Sequence, residues 1–451
     1  MRYVFKDYCD AMIRDLSDLI KIPTVYDAST ATAEMPYGKN VYQGYLWMKE
    51  KALKDGFEVL EYDGHALAIR IPGNESIDRV DVVSHLDVVE PGEGWDQDPF
   101  SGSVIDGRIY GRGTQDMKGS LILTYYALKY IKDNKFPCKK ELRVVIGCDE
   151  ECTMGDMKYY LMKAGEPAFA FTPDGKFPYS MGEKGALMWV IEGSMETCIE
   201  ELDGGVQCNV VSPSASALVN PIEAYNVYQE MIEKLGYEGE VLKEAGRVKL
   251  KINGKAAHAS RPESGINATV RLLELIREVS HDPLAELMHQ CLYDYYGKGA
   301  DICYDLSPMG KLTLNLGLLK IRNRAVTASI DCRYPSGITA EILTEKIQHA
   351  LKPLNVTLKY NDRPTLVSGP SPYLDVLLTT YREISKNPMA EPIIGMGVTY
   401  SKVFSNCVAF GPMAEGDLVL AHQANESIDI KKLEFLFEIY SQTMIRLANL
   451  K

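Results

Sequence analysis

Apolar positions along this chain repeat in two registers. Between residues 7 and 21 they recur at helical spacing, through Met12, Ile13, Leu16, Leu19 and Ile20, and predict an amphipathic helix. The same spacing predicts helices over 42–55, 119–132, 221–235, 267–279, 372–385 and 431–447. Alternation predicts a strand pair at 57–62 and 66–71. Short continuous apolar runs at 79–84 (RVDVVS), 141–147 (ELRVVIG) and 167–172 (PAFAFT) predict strands buried on both faces. Further strands are predicted at 187–192, 247–252, 312–319 and 326–332.

The buried runs share a feature. Each ends directly at chemistry: His85 after the first, Asp149-Glu150-Glu151 after the second, Asp174 after the third. A helical pattern separates the first two runs, so the expected core is a mainly parallel α/β sheet. Ligands of such sheets bind outside the carboxyl ends of the strands. After about residue 183 the texture becomes α+β, and the α/β texture resumes near 366. The expected organisation is an α/β catalytic domain, 1–183 plus 366–451, interrupted by an α+β lid domain, 184–365.

Composition narrows the class. At 451 residues the chain exceeds one hydrophobic core. A net charge of −13 argues against a nucleic acid or an anionic membrane as partner. No run of 18 apolar residues exists to span a bilayer. The first 22 residues lack the apolar segment of a secretory signal. The ten cysteines form no CxxC pair, which fits free, buried thiols in a reducing compartment, so a cytoplasmic location is expected.

Each candidate group has a plain structural reading beside a chemical one. His85-Leu86-Asp87 sets an imidazole and a carboxylate two residues apart, on one side of a strand exit. The glycine-rich stretch 111–119 (GRGTQDMKG) lacks the phosphate-loop spacing, and its Asp116 reads equally as a helix cap or a metal ligand. Three adjacent carboxylates at 149–151 usually mark a solvated turn. Behind a buried strand their repulsion is costly unless a cation is present. His422 and His258 taken singly are more often structural than chemical.

The joint order of these motifs, with 95–119 (WDQDPFSGSVIDGRIYGRGTQDMKG) the most specific, resembles the M20 metallopeptidases over essentially the whole chain. Within them it looks most like the dipeptidases of the PepV and carnosinase group, through 204–211 (GGVQCNVV), 255–260 (KAAHAS), 312–319 (LTLNLGLL), 331–335 (DCRYP) and 410–413 (FGPM). The resemblance implies two divalent cations, Zn2+ or Mn2+ with Co2+ also suitable. One would be held by His85 and Asp174, the other by Glu151 and His422, with Asp116 bridging. It implies Glu150 as general base toward a metal-bridged water, Asp87 as the group orienting His85, His258 and Asn209 as oxyanion donors, and Arg333 as the grip on a substrate carboxylate. It also implies a cis peptide after Asp116 and, from the size of the insertion, a monomer rather than a homodimer. The expected activity is hydrolysis of dipeptides or very short peptides. The alternatives are an N-acyl amino acid amidohydrolase and an inactive peptide-binding homologue. Three positions depart from the pattern: Met117 replaces an aspartate common in that branch, Val398 stands where glycine usually precedes the threonine, and Lys402 offers a point charge where the family usually has arginine.

Overall fold

A computed structural model of the chain describes residues 2–451 except Ser368 and Met396. It divides into two compact units, residues 1–182 with 367–451 and residues 183–366.

The sheet of the first unit runs Glu58–Tyr62, Ala66–Ile71, Glu141–Gly147, Arg79–His85, Phe169–Thr172, Cys407–Ala409, Ser180–Glu183. Its centre is parallel, from Glu141–Gly147 through Arg79–His85 and Phe169–Thr172 to Cys407–Ala409. Antiparallel neighbours flank it on both sides, because Glu58–Tyr62 and Ala66–Ile71 form a hairpin and Ser180–Glu183 turns back on Cys407–Ala409. The sheet is therefore mixed, with the expected parallel arrangement at its centre.

Side chains of these strands alternate between two cores, as the two-residue period of a strand requires. Val80, Val82, Leu142, Val144 and Ile146 face the larger core, shared with helices Arg2–Ile20, Lys118–Asp133 and Ile430–Ala448. Val83 and Val145 face a smaller one with Met157 and Tyr160 of helix Gly155–Ala164 and with Tyr400. Register carries His85 and Gly147 to the smaller-core face. Gly147 must be glycine there: a Cβ would collide with the Tyr400 hydroxyl and the Asp156 carboxylate.

The second unit is an antiparallel sheet of eight strands with helices Tyr225–Leu235, Ala268–Ser280, Pro283–Leu292 and Ala340–Ala350. It has a hydrophobic core of its own, built around Trp189, Leu250, Leu272 and Ile330. Burial alternates along its strands, as in Arg247–Asn253, the signature of a sheet packed on one face. Its entering strand Gly185–Ser194 and its leaving strand Asn355–Asp362 are direct neighbours.

Three of these helices, Gly155–Ala164, Pro283–Leu292 and Ala340–Ala350, are not predicted from sequence. At ten or eleven residues each spans only about three turns, too short for the spacing of apolar residues to stand out. No helix among the described residues is long and apolar enough to cross a membrane. No disulfide joins the described cysteines. Cys138, Cys148, Cys291, Cys332 and Cys407 are buried, but Cys152 and Cys303 are exposed.

Candidate metal centre

Parallel strands end on one edge of their sheet, and there the chain collects its acidic and imidazole groups. His85 closes strand Arg79–His85, Glu150 and Glu151 follow Glu141–Gly147, and Asp174 follows Phe169–Thr172. Asp116 arrives on the loop before helix Lys118–Asp133, across a cis bond to Met117, as the resemblance implies. His422 comes from a loop near the end of the chain.

These groups form two triads, His85–Asp116–Asp174 and Asp116–Glu151–His422, each with ligand-capable atoms within 4.8 Å of one another. Asp116 belongs to both. Its Oδ1 lies 3.2 Å from His85 Nε2 and its Oδ2 lies 3.1 Å from His422 Nε2. His85 Nε2 also faces Asp174 Oδ2 at 3.7 Å, and His422 Nε2 faces Glu151 Oε1 at 3.2 Å. Glu150 stands beside both triads, its Oε2 4.0 Å from His85 Nε2.

The orientation of His85 is settled by its other nitrogen. Nδ1 lies 2.8 Å from the backbone carbonyl of Asp87. A carbonyl only accepts, so Nδ1 carries the proton and Nε2 is turned toward the carboxylates. The Asp87 carboxylate, expected to orient the ring, sits 3.5 Å from Nδ1, and its other oxygen instead accepts the backbone N–H of Glu151 at 2.9 Å. Asp87 therefore steers His85 through its main chain and anchors the Glu151 turn through its side chain.

The donor set fits a pair of divalent cations. His85 Nε2, Asp116 Oδ1 and Glu150 Oε1 are buried polar atoms without a hydrogen-bond partner; the first two lie 3.2 Å apart, and the other oxygen of Glu150 is 4.0 Å from His85 Nε2. Such atoms are costly unless something satisfies them. All the donors are imidazole nitrogens or carboxylate oxygens, the ligands of zinc and manganese. Electrostatics agrees. Burial and the like charges of Asp174, Glu151 and Asp116 push Glu150 well above the ordinary carboxylate range, against His85. Burial and Asp116 push Glu151 up to about 7, against the two histidines. Burial opposes charge on His422, but Asp116 and Glu151 outweigh it and raise it to about 11, tempered by solvent on its exposed side.

Sequence reasoning missed the groups that hold this edge together. Asp156 accepts the backbone N–H groups of Cys148 (2.6 Å) and Asp149 (2.9 Å) and the Tyr400 hydroxyl, fixing the turn before Glu150. Tyr400 sets its ring edge-on to His85, with centroids 6.1 Å apart. Arg112 and Glu426 form a buried ion pair of 2.6 Å. Asp156 lies in a short helix that the sequence did not announce, and Arg112 and Glu426 sit inside recognised motifs where nothing local pairs them. The Arg112 guanidinium also lies over the Trp95 ring, 5.4 Å from its centroid.

Three predicted site residues belong to the second unit. Asn209 and His258 lie on adjoining antiparallel segments, joined by a bridge between Val210 and His258 and by the Ala259 N–H to the Asn209 carbonyl. The backbone N–H of Ser260 donates to His258 Nδ1 at 3.1 Å, so the ring proton sits on Nε2. Arg333 is buried and gives its Nε and Nη2 to the two oxygens of Asp331, at 2.9 and 3.0 Å. Part of the fork expected for a substrate carboxylate is thus held by Asp331.

A parallel α/β sheet that gathers two nitrogen-and-oxygen triads at its strand ends defines a metal-dependent hydrolase. Residues 82–446 match the model of peptidase family M20/M25/M40. The chain is 31% identical over 97% of its length, and 97% of the other protein, to YtjP of Bacillus subtilis, named as an inferred dipeptidase. Its fold matches human carnosine dipeptidase 1 with a TM-score of 0.60 at 13% identity, covering 99% and 98% of the two chains. It also matches an M20 metallo-carboxypeptidase of Sulfolobus solfataricus, with a TM-score of 0.59 at 17% identity over 97% and 99%. This chain belongs to peptidase family M20/M25/M40, and it is a metallopeptidase.

Proposed function

We propose that this protein is a two-cation dipeptidase of the cytoplasm, hydrolysing the single peptide bond of a dipeptide or cutting a very short peptide. The observation that carries the reading is the division of Asp116 between the two triads, with buried Glu150 beside them. His85 and Asp174 would hold one cation, Glu151 and His422 the other, and Asp116 would bridge. Zinc or manganese fits these donors best. When bound, the pair supplies Lewis acidity at the carbonyl and makes water a stronger nucleophile near neutral pH.

The remaining work falls to the chain's own side chains. Glu150 takes a proton from the attacking water. As the C–N bond breaks, it passes that proton to the amine nitrogen, leaving a free carboxylate and a free amine. The separate burial of Glu150 and its crowding by Asp174 and Glu151 support this role, because they raise its proton affinity toward that of a working acid–base group. His258, with its proton on Nε2, is suited to donate to an oxyanion, with Asn209 on the adjoining segment. Arg333, oriented by Asp331, retains Nη1 for a substrate carboxylate. In this reading residues 183–366 form the lid and the rest the catalytic domain, and the working form is the monomer.

The test is a panel of dipeptides beside their N-acetyl forms, on protein reconstituted separately with zinc and manganese. Free dipeptides are expected to be cleaved and acetylated ones spared. Preference for the acetylated forms would make the protein an N-acyl amino acid amidohydrolase. Glu150→Gln should lower kcat by about 10²–10⁴-fold while both cations still bind. Retained activity in that variant would overturn the acid–base role.

A further inference from the structure

Two segments far apart in sequence must meet for Asp116 to serve both triads: the loop 111–117 and the loop 418–426 that carries His422. Their junction is built around one carboxylate. Glu426 Oε1 accepts the backbone N–H groups of Gly113 (3.1 Å), Gln115 (2.7 Å) and Asp116 (3.1 Å), and Oε2 accepts Arg112 Nη1 at 2.6 Å. Both ion-pair side chains are almost wholly buried, at 2% and 0% exposure. The Glu426 carbonyl accepts the Gly111 N–H at 2.9 Å. Gln115 adds a clamp in the other direction. Its Nε2 donates to the carbonyls of Leu418 (3.1 Å) and Ser427 (3.0 Å), and its Oε1 accepts the Leu420 N–H at 2.8 Å.

We infer that Glu426 is a positioning residue that sets the reach from Asp116 to His422, and with it the affinity of the second cation. The inference rests on the two-cation reading above. A charge buried only to neutralise Arg112 is poor value for stability, since a buried ion pair often does no better than apolar side chains of the same volume. What Glu426 adds is direction. One oxygen gathers three amides of the Asp116 loop, the last being the amide of Asp116 itself, and the backbone bearing that carboxylate is four residues beyond His422. The 3.1 Å approach of Asp116 Oδ2 to His422 Nε2 therefore depends on it. The first triad does not depend on it in the same way: His85 and Asp174 stand at strand ends held by the sheet. Loss of Glu426 should act on one cation more than the other.

The experiment is calorimetric titration of metal-free protein with Zn2+ or Mn2+ alone, on the wild type, Glu426→Met, which removes both acceptor oxygens, Arg112→Met, and the charge-balanced pair Arg112→Met with Glu426→Met. Thermal unfolding of each metal-free protein is measured alongside. Wild type is expected to take up two cations. Glu426→Met and the double variant should bind the second cation about 10–100-fold more weakly, the usual effect of losing a group that orients a ligand, and lose clearly less affinity for the first, which shares Asp116 but keeps His85 and Asp174 on the sheet. Arg112→Met should lose metal-free stability yet keep more of the second affinity, because Glu426 still gathers the three amides. Unchanged second-cation affinity in the double variant would overturn the inference, as would an equal loss in Arg112→Met. Wild-type uptake of fewer than two cations would instead overturn the reading on which it rests.

Discussion

His85 and His258 both present Nε2, in opposite protonation states, and in each the backbone makes the choice. The Asp87 carbonyl claims the proton of His85 Nδ1 and leaves Nε2 for a cation; the Ser260 amide donates to His258 Nδ1 and leaves Nε2 protonated. Neither assignment is legible in sequence, where both read simply as histidine. In the metal-free protein, protons compete with cations for the same atoms. Burial opposes charge on His85, but Asp116, Asp174 and Asp87 outweigh it and hold it well above 6.5. His422 is raised to about 11 and Glu151 to about 7. The second cation must therefore displace the His422 proton and, below pH 7, the proton of Glu151 as well; the raised proton affinity of His85 competes with the first. Affinity should rise with pH, about tenfold per unit for each proton released. Calorimetry in two buffers of different ionisation enthalpy should report proton release on cation uptake, greater at pH 6 than at pH 8. Heats independent of buffer would contradict this.

At the scale of elements, the turn after strand Glu141–Gly147 shows how a strand end becomes a site. Its amides are fixed by Asp156, at the start of a helix not predicted from sequence, and by Asp87, at the end of the neighbouring strand. Asp156→Ala would strand two buried amides and the Tyr400 hydroxyl, at about 1–3 kcal/mol for each unsatisfied donor. The denaturant midpoint should fall accordingly, with a drop in kcat from displacement of Glu150. Asp156→Asn, which keeps an acceptor oxygen, should recover part of both. An unchanged kcat in Asp156→Ala would show that the turn holds without this carboxylate.

For the molecule as a whole, a hydrophobic core of its own and adjacent entry and exit strands make residues 183–366 a self-sufficient body. Expressed alone, this segment of ordinary domain size should fold and unfold cooperatively, by circular dichroism and denaturant titration, and bind no divalent cation. A molten or insoluble product would mean that its core needs the rest of the chain. The chain divides after Gly182 and before Val367, and the texture of the sequence changes near residues 183 and 366. The sequence does not reveal that the eight-stranded sheet is wholly antiparallel, because a strand such as Gly239–Glu244 carries little apolar alternation to announce it.

Sequence by itself determined which strands are buried and which groups follow them, since apolar runs and the residues behind them are local facts. The parallel order of those strands then brought His85, Glu150, Glu151 and Asp174 to one edge. Tertiary structure alone decided what depends on segments meeting: the sharing of Asp116 between two triads, and the gathering of its loop by Glu426 from some three hundred residues away. A hydrogen bond is set by direction and distance in space, and chain order carries neither until the fold is complete.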